Sequence, residues 1–215
     1  MQPGQQGYGY GGGPQGYGVP PQNAYGPPPG ASALVDGIRS IATPTIALLG
    51  ARAAIPVLFR LLGFAGIRLG SPMIYEGLRG VTGLVAIILY FIWFSRFYGW
   101  VRASTGATSY STGLAIGGWF IPFANFVYPY LAMNDAYRRA SNNQGSPLVA
   151  LWWLSYIGTI VISIFTSVSQ TAHLLPTDRS AMPLYDAIGW MNSLSQIAAY
   201  GLWAMLVKEL TAKAR

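Results

Sequence analysis

From residue 43 onward the chain alternates long apolar runs with short polar breaks. The first run extends from Thr43 to about Ile67. Thr43-Pro44 at its head reads as a helix N-cap followed by proline at the first helical position. Ser71-Pro72 and Ser146-Pro147 repeat the signal ahead of the second run, whose uncharged part is Gly80 to Ser95, and of the fourth, Leu148 to Val168. The third covers Gly113 to Met133, and the last Ala187 to Val207. Each is near the roughly 20 residues needed to cross a bilayer. The pattern predicts an all-α integral membrane protein, residues 36–215, with residues 1–35 as a tail.

The third run is the unusual one. No charged residue occurs between Arg102 and Asp135. Pro122 cannot donate to the carbonyl of Gly118, nor Pro129 to that of Asn125, so each interrupts a helix. Freed carbonyls are tolerated in lipid only where protein or a water-filled cavity covers them. The spacing puts Trp119, Pro122, Phe126, Pro129 and Met133 on one helical face. Asn125 is expected to cap a second half-helix starting near Phe126, with Pro129 in or just after its first turn. Asp135 and Arg139, four apart, are expected to pair. Three forms fit the residues: a kinked spanning helix, a re-entrant or interfacial element, and a ligand site built on the break.

The pattern W-F-x-P-x-x-N-x-x-x-P-x-x-x-M, carried by Trp119, Phe120, Pro122, Asn125, Pro129 and Met133 and followed by Arg138, Arg139 and Ser141, resembles an uncharacterised bacterial membrane family. That family is a domain of unknown function common in actinobacteria. The run Phe91 to Arg96 and the pair Trp152-Trp153 are similar as well, and the likeness covers about Val81 to Val207. It implies a helical membrane fold and a location in the bacterial cytoplasmic membrane, and no activity. Arg52 and Arg60, inside the first apolar run, depart from the family's pattern.

Those two arginines each cost about 2.5–3.5 kcal/mol at a helix centre on insertion scales. They are expected to snorkel, to face the bundle, or to hold the first helix partly in the interface. Trp93, Tyr98 and Trp100 read as an interfacial aromatic belt. Ser155, Thr159, Ser163, Thr166 and Gln170 form a polar stripe on the fourth helix. It is expected to face Asn192, Ser195 and Gln196 of the last.

Composition agrees with lipid as the solvent. Only 9% of the 215 residues are charged and 52% are hydrophobic, against about 25% charged in soluble domains. The net charge of +7 gathers at the ends of the apolar runs, which orients a membrane protein and is no nucleic-acid footprint. With Arg39, Arg96, Arg102, Arg138, Arg139, Lys208, Lys213 and Arg215 on the cytoplasmic side, the other side keeps Arg68, Arg79 and Arg179. Both termini are then cytoplasmic. The third run must start and finish on that side, which gives about four spans plus one proline-broken re-entrant or interfacial helix. The loop 172–183 falls outside. In residues 1–30, Gly, Pro, Gln and Tyr fill 26 positions with no charge, a composition expected to be disordered and suited to weak protein contacts.

The chain has no cysteine and one histidine, His173. It lacks the catalytic and phosphate-binding motifs that would suggest an enzyme, and no cofactor or metal is expected. Arg138 and Arg139 suit anionic lipid headgroups. Two functions remain open: a non-enzymatic scaffold, regulatory or interaction module, and a small oligomeric transporter or channel-like protein using residues 113–141 as part of a solute path. The expected site residues are Trp119, Pro122, Asn125, Pro129, Met133, Asp135, Arg138 and Arg139. The sequence leaves the oligomeric state open.

Overall fold

A computed structural model describes residues 31–67, 71–171 and 182–214. The tail 1–30 and most of the loop 172–183 lie outside the described residues. The described elements are all helical: α1 Ala31–Phe64, α2 Pro72–Thr105, α3 Thr112–Gly117, a 3-10 turn Ala124–Phe126, α4 Tyr128–Ala140, α5 Pro147–Thr171 and α6 Met182–Lys213.

α1 corrects the expected start. The helix begins at Ala31 and runs through both Pro44 and Pro56, so residues 31–35, assigned above to the tail, belong to it. Val35, Ile38, Ala42 and Leu49 follow helical spacing and are buried. That burial overrides the proline boundary. Next to the break in bonding at Pro44, the Thr45 hydroxyl donates to the Ile41 carbonyl at 2.7 Å. The Ser71-Pro72 start of α2 is observed, although the serine side chain makes no capping bond. Gly106, at φ 77°, closes α2 in the left-handed conformation that favours glycine. At the head of α5, the Leu148 amide donates to Ser146 Oγ at 3.1 Å.

α1 packs along α2 and α6, and α5 packs along α6. Among the described residues, three helices are long and apolar enough to cross a membrane: Ser32–Phe64, Met73–Thr105 and Pro147–Val168. Large apolar side chains point outward on each, among them Leu58, Leu61, Val81, Leu84, Ile88, Leu154, Val161 and Ile164. α6 is turned the same way. Its Ser193 and Gln196 are each 3% exposed, whereas Met191 and Leu194 are each 58% exposed. A soluble helix shows the reverse distribution.

One end of the bundle is tied by polar bonds. Arg96 Nη1 donates to the Gly37 carbonyl at 2.7 Å and Arg39 Nη2 to the Ala214 carbonyl at 3.3 Å. Tyr137 donates to Glu209, which Lys213 approaches at 3.8 Å. Trp93, Tyr98 and Trp100 are buried at this end, so the expected aromatic belt is instead core. α4 and α6 cover it, and Trp93 Nε1 donates to Thr211 Oγ1 at 2.9 Å. Thr159 of the α5 stripe reaches the Ser195 carbonyl of α6 at 3.2 Å. Ser155 and Thr166 bond within their own helix.

Candidate functional site

The region between α2 and α5 is built from short pieces because its sequence cannot sustain one helix. Ser111 caps α3, its Oγ accepting from the Leu114 amide at 3.1 Å. α3 ends after six residues. At Gly118 a Cβ would stand 2.6 Å from Tyr128 Cβ, so only glycine allows α3 to touch the start of α4. The chain then turns through Pro122 and Phe123. Phe123 holds φ 63°, a strained value for a bulky residue, and the residue is 84% exposed. Backbone bonds of short span close the turn, including Ala124 N to Pro122 O at 2.7 Å and Val127 N to Ala124 O at 2.9 Å.

Asn125 is not the cap of α4. Val127 holds that position without a side-chain bond. Asn125 lies inside the 3-10 turn, and its buried Oδ1 has no hydrogen-bond partner. The left-handed Phe123 starts the turn early, so the asparagine is already in the wound segment and its side chain misses the free amides of α4. Pro129 does fall in the first turn of α4 and is buried. The single face expected for Trp119, Pro122, Phe126, Pro129 and Met133 does not form. Trp119, Pro129 and Met133 are buried while Pro122 and Phe126 are exposed, because the chain reverses between them.

Asp135 joins the two ends of this region. Its carboxylate accepts from Ser109 Oγ at 2.7 Å, from the Ser109 amide at 3.0 Å, from Arg139 Nε at 2.9 Å and from the Tyr98 hydroxyl at 3.3 Å. Burial pushes the carboxyl pKa up. The two Ser109 bonds, together with the Arg139 bond and charge, outweigh that and hold it below the usual carboxylate value. The expected Asp135–Arg139 pair is therefore present, within a larger cluster that includes Ser109 and Tyr98. Neither of those carried a sequence signal, since both reach Asp135 across more than 25 residues. Arg138 is exposed, beside Gly145.

Trp119 anchors the region to the bundle. Its ring meets Tyr90 and Phe91 of α2, Trp152, Trp153 and Tyr156 of α5, and Trp203 of α6. The Trp203 contact is a stack at 5.7 Å with 4° between planes. Such pairs add about 0.5–1.5 kcal/mol each beyond area burial.

A second polar group lies elsewhere, between α1, α2 and α6. Arg52 and Arg60 both face the bundle. The Arg52 guanidinium lies 5.5 Å over the Tyr200 ring, and its buried Nε and Nη1 have no hydrogen-bond partner. Arg60 Nε donates to Ser193 Oγ at 2.9 Å, and its guanidinium lies 5.7 Å over Trp190 and against the bare backbone of Gly189. Among the described residues no carboxylate is within ion-pair distance of either. The sequence exposed these arginines as anomalies, but not their partners on α6.

Residues 73–212 match the family described as a domain of unknown function (DUF4328). No curated protein and no solved structure matches the chain. The chain belongs to that family; its matched region begins in α2, so α1 with Arg52 and Arg60 precedes it.

Proposed function

We propose that the chain is a four-span protein of the bacterial cytoplasmic membrane, with α1, α2, α5 and α6 as the spans and both termini cytoplasmic. Residues 112–140 form a re-entrant element on the cytoplasmic side. The protein acts as a non-enzymatic scaffold or interaction module whose contacts are made through that element and the surrounding lipid.

The observation that carries the reading is the Asp135–Ser109 bond. It ties the loop before α3 to the second half of α4, so the element starts and finishes at one level of the bundle. A spanning segment would separate those two points by the roughly 30 Å of the hydrocarbon core. The fourth span is supported by the inverted face of α6, with amide and hydroxyl groups inward and methionine and leucine outward. The same bond supports the absence of enzyme chemistry here, because the one carboxylate of the element is fully engaged. What the element offers outward is apolar. Phe120 is 70% exposed and Phe123 84% exposed. Glycine would hold φ 63° without strain, so a strained and exposed phenylalanine at this position points to a role outside the fold. We assign it to the acyl-headgroup boundary, with exposed Arg138 toward anionic headgroups.

The chain has no native cysteine, so single cysteines report cleanly. Ile67→Cys is expected to react with an impermeant maleimide in intact spheroplasts, and Gln144→Cys only after lysis. A bimane on Phe123→Cys is expected to be quenched by doxyl lipids. Reaction of Gln144→Cys from outside, or quenching of Phe123→Cys only by an aqueous quencher, would sink the topology. Reconstituted liposomes are expected to show no solute flux above protein-free controls. Saturable flux would favour the transporter reading instead.

A further inference from the structure

The element between α2 and α5 is closed on itself. Asp135 accepts from the Ser109 amide at 3.0 Å and from Ser109 Oγ at 2.7 Å, and Arg139 Nη2 donates to Ser109 Oγ at 3.3 Å. These bonds join its two ends, so residues 109–140 form one body. Among the described residues, side-chain hydrogen bonds tie that body to the spans at two places. The Tyr98 hydroxyl of α2 donates to Asp135 at 3.3 Å, and the Tyr137 hydroxyl donates to Glu209 of α6. The rest of the attachment is packing. α2 and α5 do not pack along one another. The slot between them holds the ring of Trp119 and the buried face of α4, with Ala132, Met133 and Ala136.

The fit in that slot is incomplete. Trp119 Nε1 and Trp152 Nε1 are buried on the two sides of the seam, their rings 6.4 Å apart, and neither has a hydrogen-bond partner. Asn125 Oδ1 within the body and Ser141 Oγ at its end are buried without partners as well. A polar group left unmet in this way carries its full desolvation cost. Phe123 adds the strain of φ 63°. In lipid the opposing term is weak, because hydrocarbon is as apolar as the slot and packing alone favours one apolar face on another. Headgroup level also suits a raised Trp119, whose N–H finds acceptors there. Both connections have residues placed to absorb a change of backbone angle. Gly106 holds φ 77° on one side, and Asn142 and Asn143 hold 50° and 65° on the other.

We propose that residues 109–140 are a lid that rises as one body from the slot between α2 and α5, and that the bilayer holds it down through the rings of Phe120 and Phe123. These residues are 70% and 84% exposed, so little of either rests on protein. A two-state equilibrium shifts only through contacts that differ between the states. Acyl chains meet these rings fully only when the lid is down. The raised state uncovers the aromatic wall of Trp152, Trp153 and Trp203, which switches the contacts that the element makes. The proposal rests on the re-entrant reading above, which cysteine labelling tests by itself. A lid that never rises leaves that topology standing.

The experiment is a pulsed-EPR distance measurement on the full chain in liposomes of phosphatidylethanolamine and phosphatidylglycerol. The chain has no native cysteine, and Val127 of the lid, Lys208 of α6 and Ser40 of α1 are exposed. Spin labels on Val127→Cys and Lys208→Cys report the lid; labels on Ser40→Cys and Lys208→Cys report the spans. Phe123→Ser keeps the Cβ and its strain and removes only the ring. Tyr137→Phe removes the bond to Glu209. Each should raise the ratio of raised to lowered lid about tenfold, and the two together by about the product. The expected result is a second distance for the lid pair in the double variant, while the span pair keeps one. Phe123→Leu in place of Phe123→Ser should return most of the population to the first distance. If the double variant does not fold, the two single variants decide by the same pairs. A lid-pair distance that stays single and unchanged in the variants overturns the proposal. So does a span pair that splits with it, which is loosening of the whole bundle. Phe123→Leu behaving like Phe123→Ser overturns it too, because the bilayer then does not hold the lid.

Discussion

Replacing Asp135 with asparagine keeps the shape of the side chain and removes the charge on which four hydrogen bonds converge. The amide group has one oxygen and brings an NH2 among donors, so at least one of the Ser109 and Arg139 bonds is lost. Hydrogen bonds to a charged group contribute about 1.5–3 kcal/mol each. Ser109 is exposed and Arg139 partly so, and water recovers much of that. The expected loss is about 2–3 kcal/mol in all, or about 5–10 °C in Tm for a chain of this size. The loss carries a pH signature. The folded pKa of Asp135 is depressed, so its charge stabilises the fold above the unfolded carboxylate value of about 3.9. That contribution disappears as pH falls through the lower folded value. Melting curves of wild type and Asp135→Asn in detergent should therefore differ by a constant amount from pH 6 to 8 and converge below about pH 4. Asp135→Asn combined with Ser109→Ala should cost less than the sum of the two changes. Coincident melts at pH 7, or a gap that does not shrink in acid, would refute the claim that the Asp135 charge ties α4 to the loop before α3.

Asn125→Ala should cost less than about 0.5 kcal/mol in detergent, within the range of surface changes, because its Oδ1 is unpartnered; a drop in Tm above 3 °C would restore a structural role to this side chain. Gly118→Ala should destabilise by about 1–3 kcal/mol through its clash with Tyr128, while Gly117→Ala, with open space around its Cβ position, should be neutral; equal melts would show that α3 does not approach α4 so closely. Phe123→Gly should raise Tm by relieving the positive φ and weaken protection of the segment from proteolysis in liposomes. No change in either would leave the exposed ring without a function. Gly189→Ala should push Arg60 off the α6 backbone, weaken its bond to Ser193 and lower Tm, which a melt can read directly.

The sequence determined what its local chemistry could determine. Apolar runs of bilayer length and Ser-Pro starts at residues 71 and 146 were enough for the helical class and for helices apolar and long enough to cross a membrane. The Asp135–Arg139 pair was legible for the same reason, since a four-residue spacing on a helix is a local fact. The tertiary structure decided everything that depends on what lies opposite. Thr43-Pro44 reads as a boundary, yet burial of Val35, Ile38 and Ala42 against neighbouring helices carries α1 through it. Trp93, Tyr98 and Trp100 resemble an interfacial belt in any single helix and become core only because α4 and α6 cover them. Asn125 looks like a cap until the backbone at Phe123 turns to positive φ and Val127 takes the capping position. The arginines of α1 were visible as charges in an apolar run, but their direction was not. Helical periodicity fixes which residues share a face, and only the neighbours Gly83, Ser193 and Tyr200 fix which face turns inward.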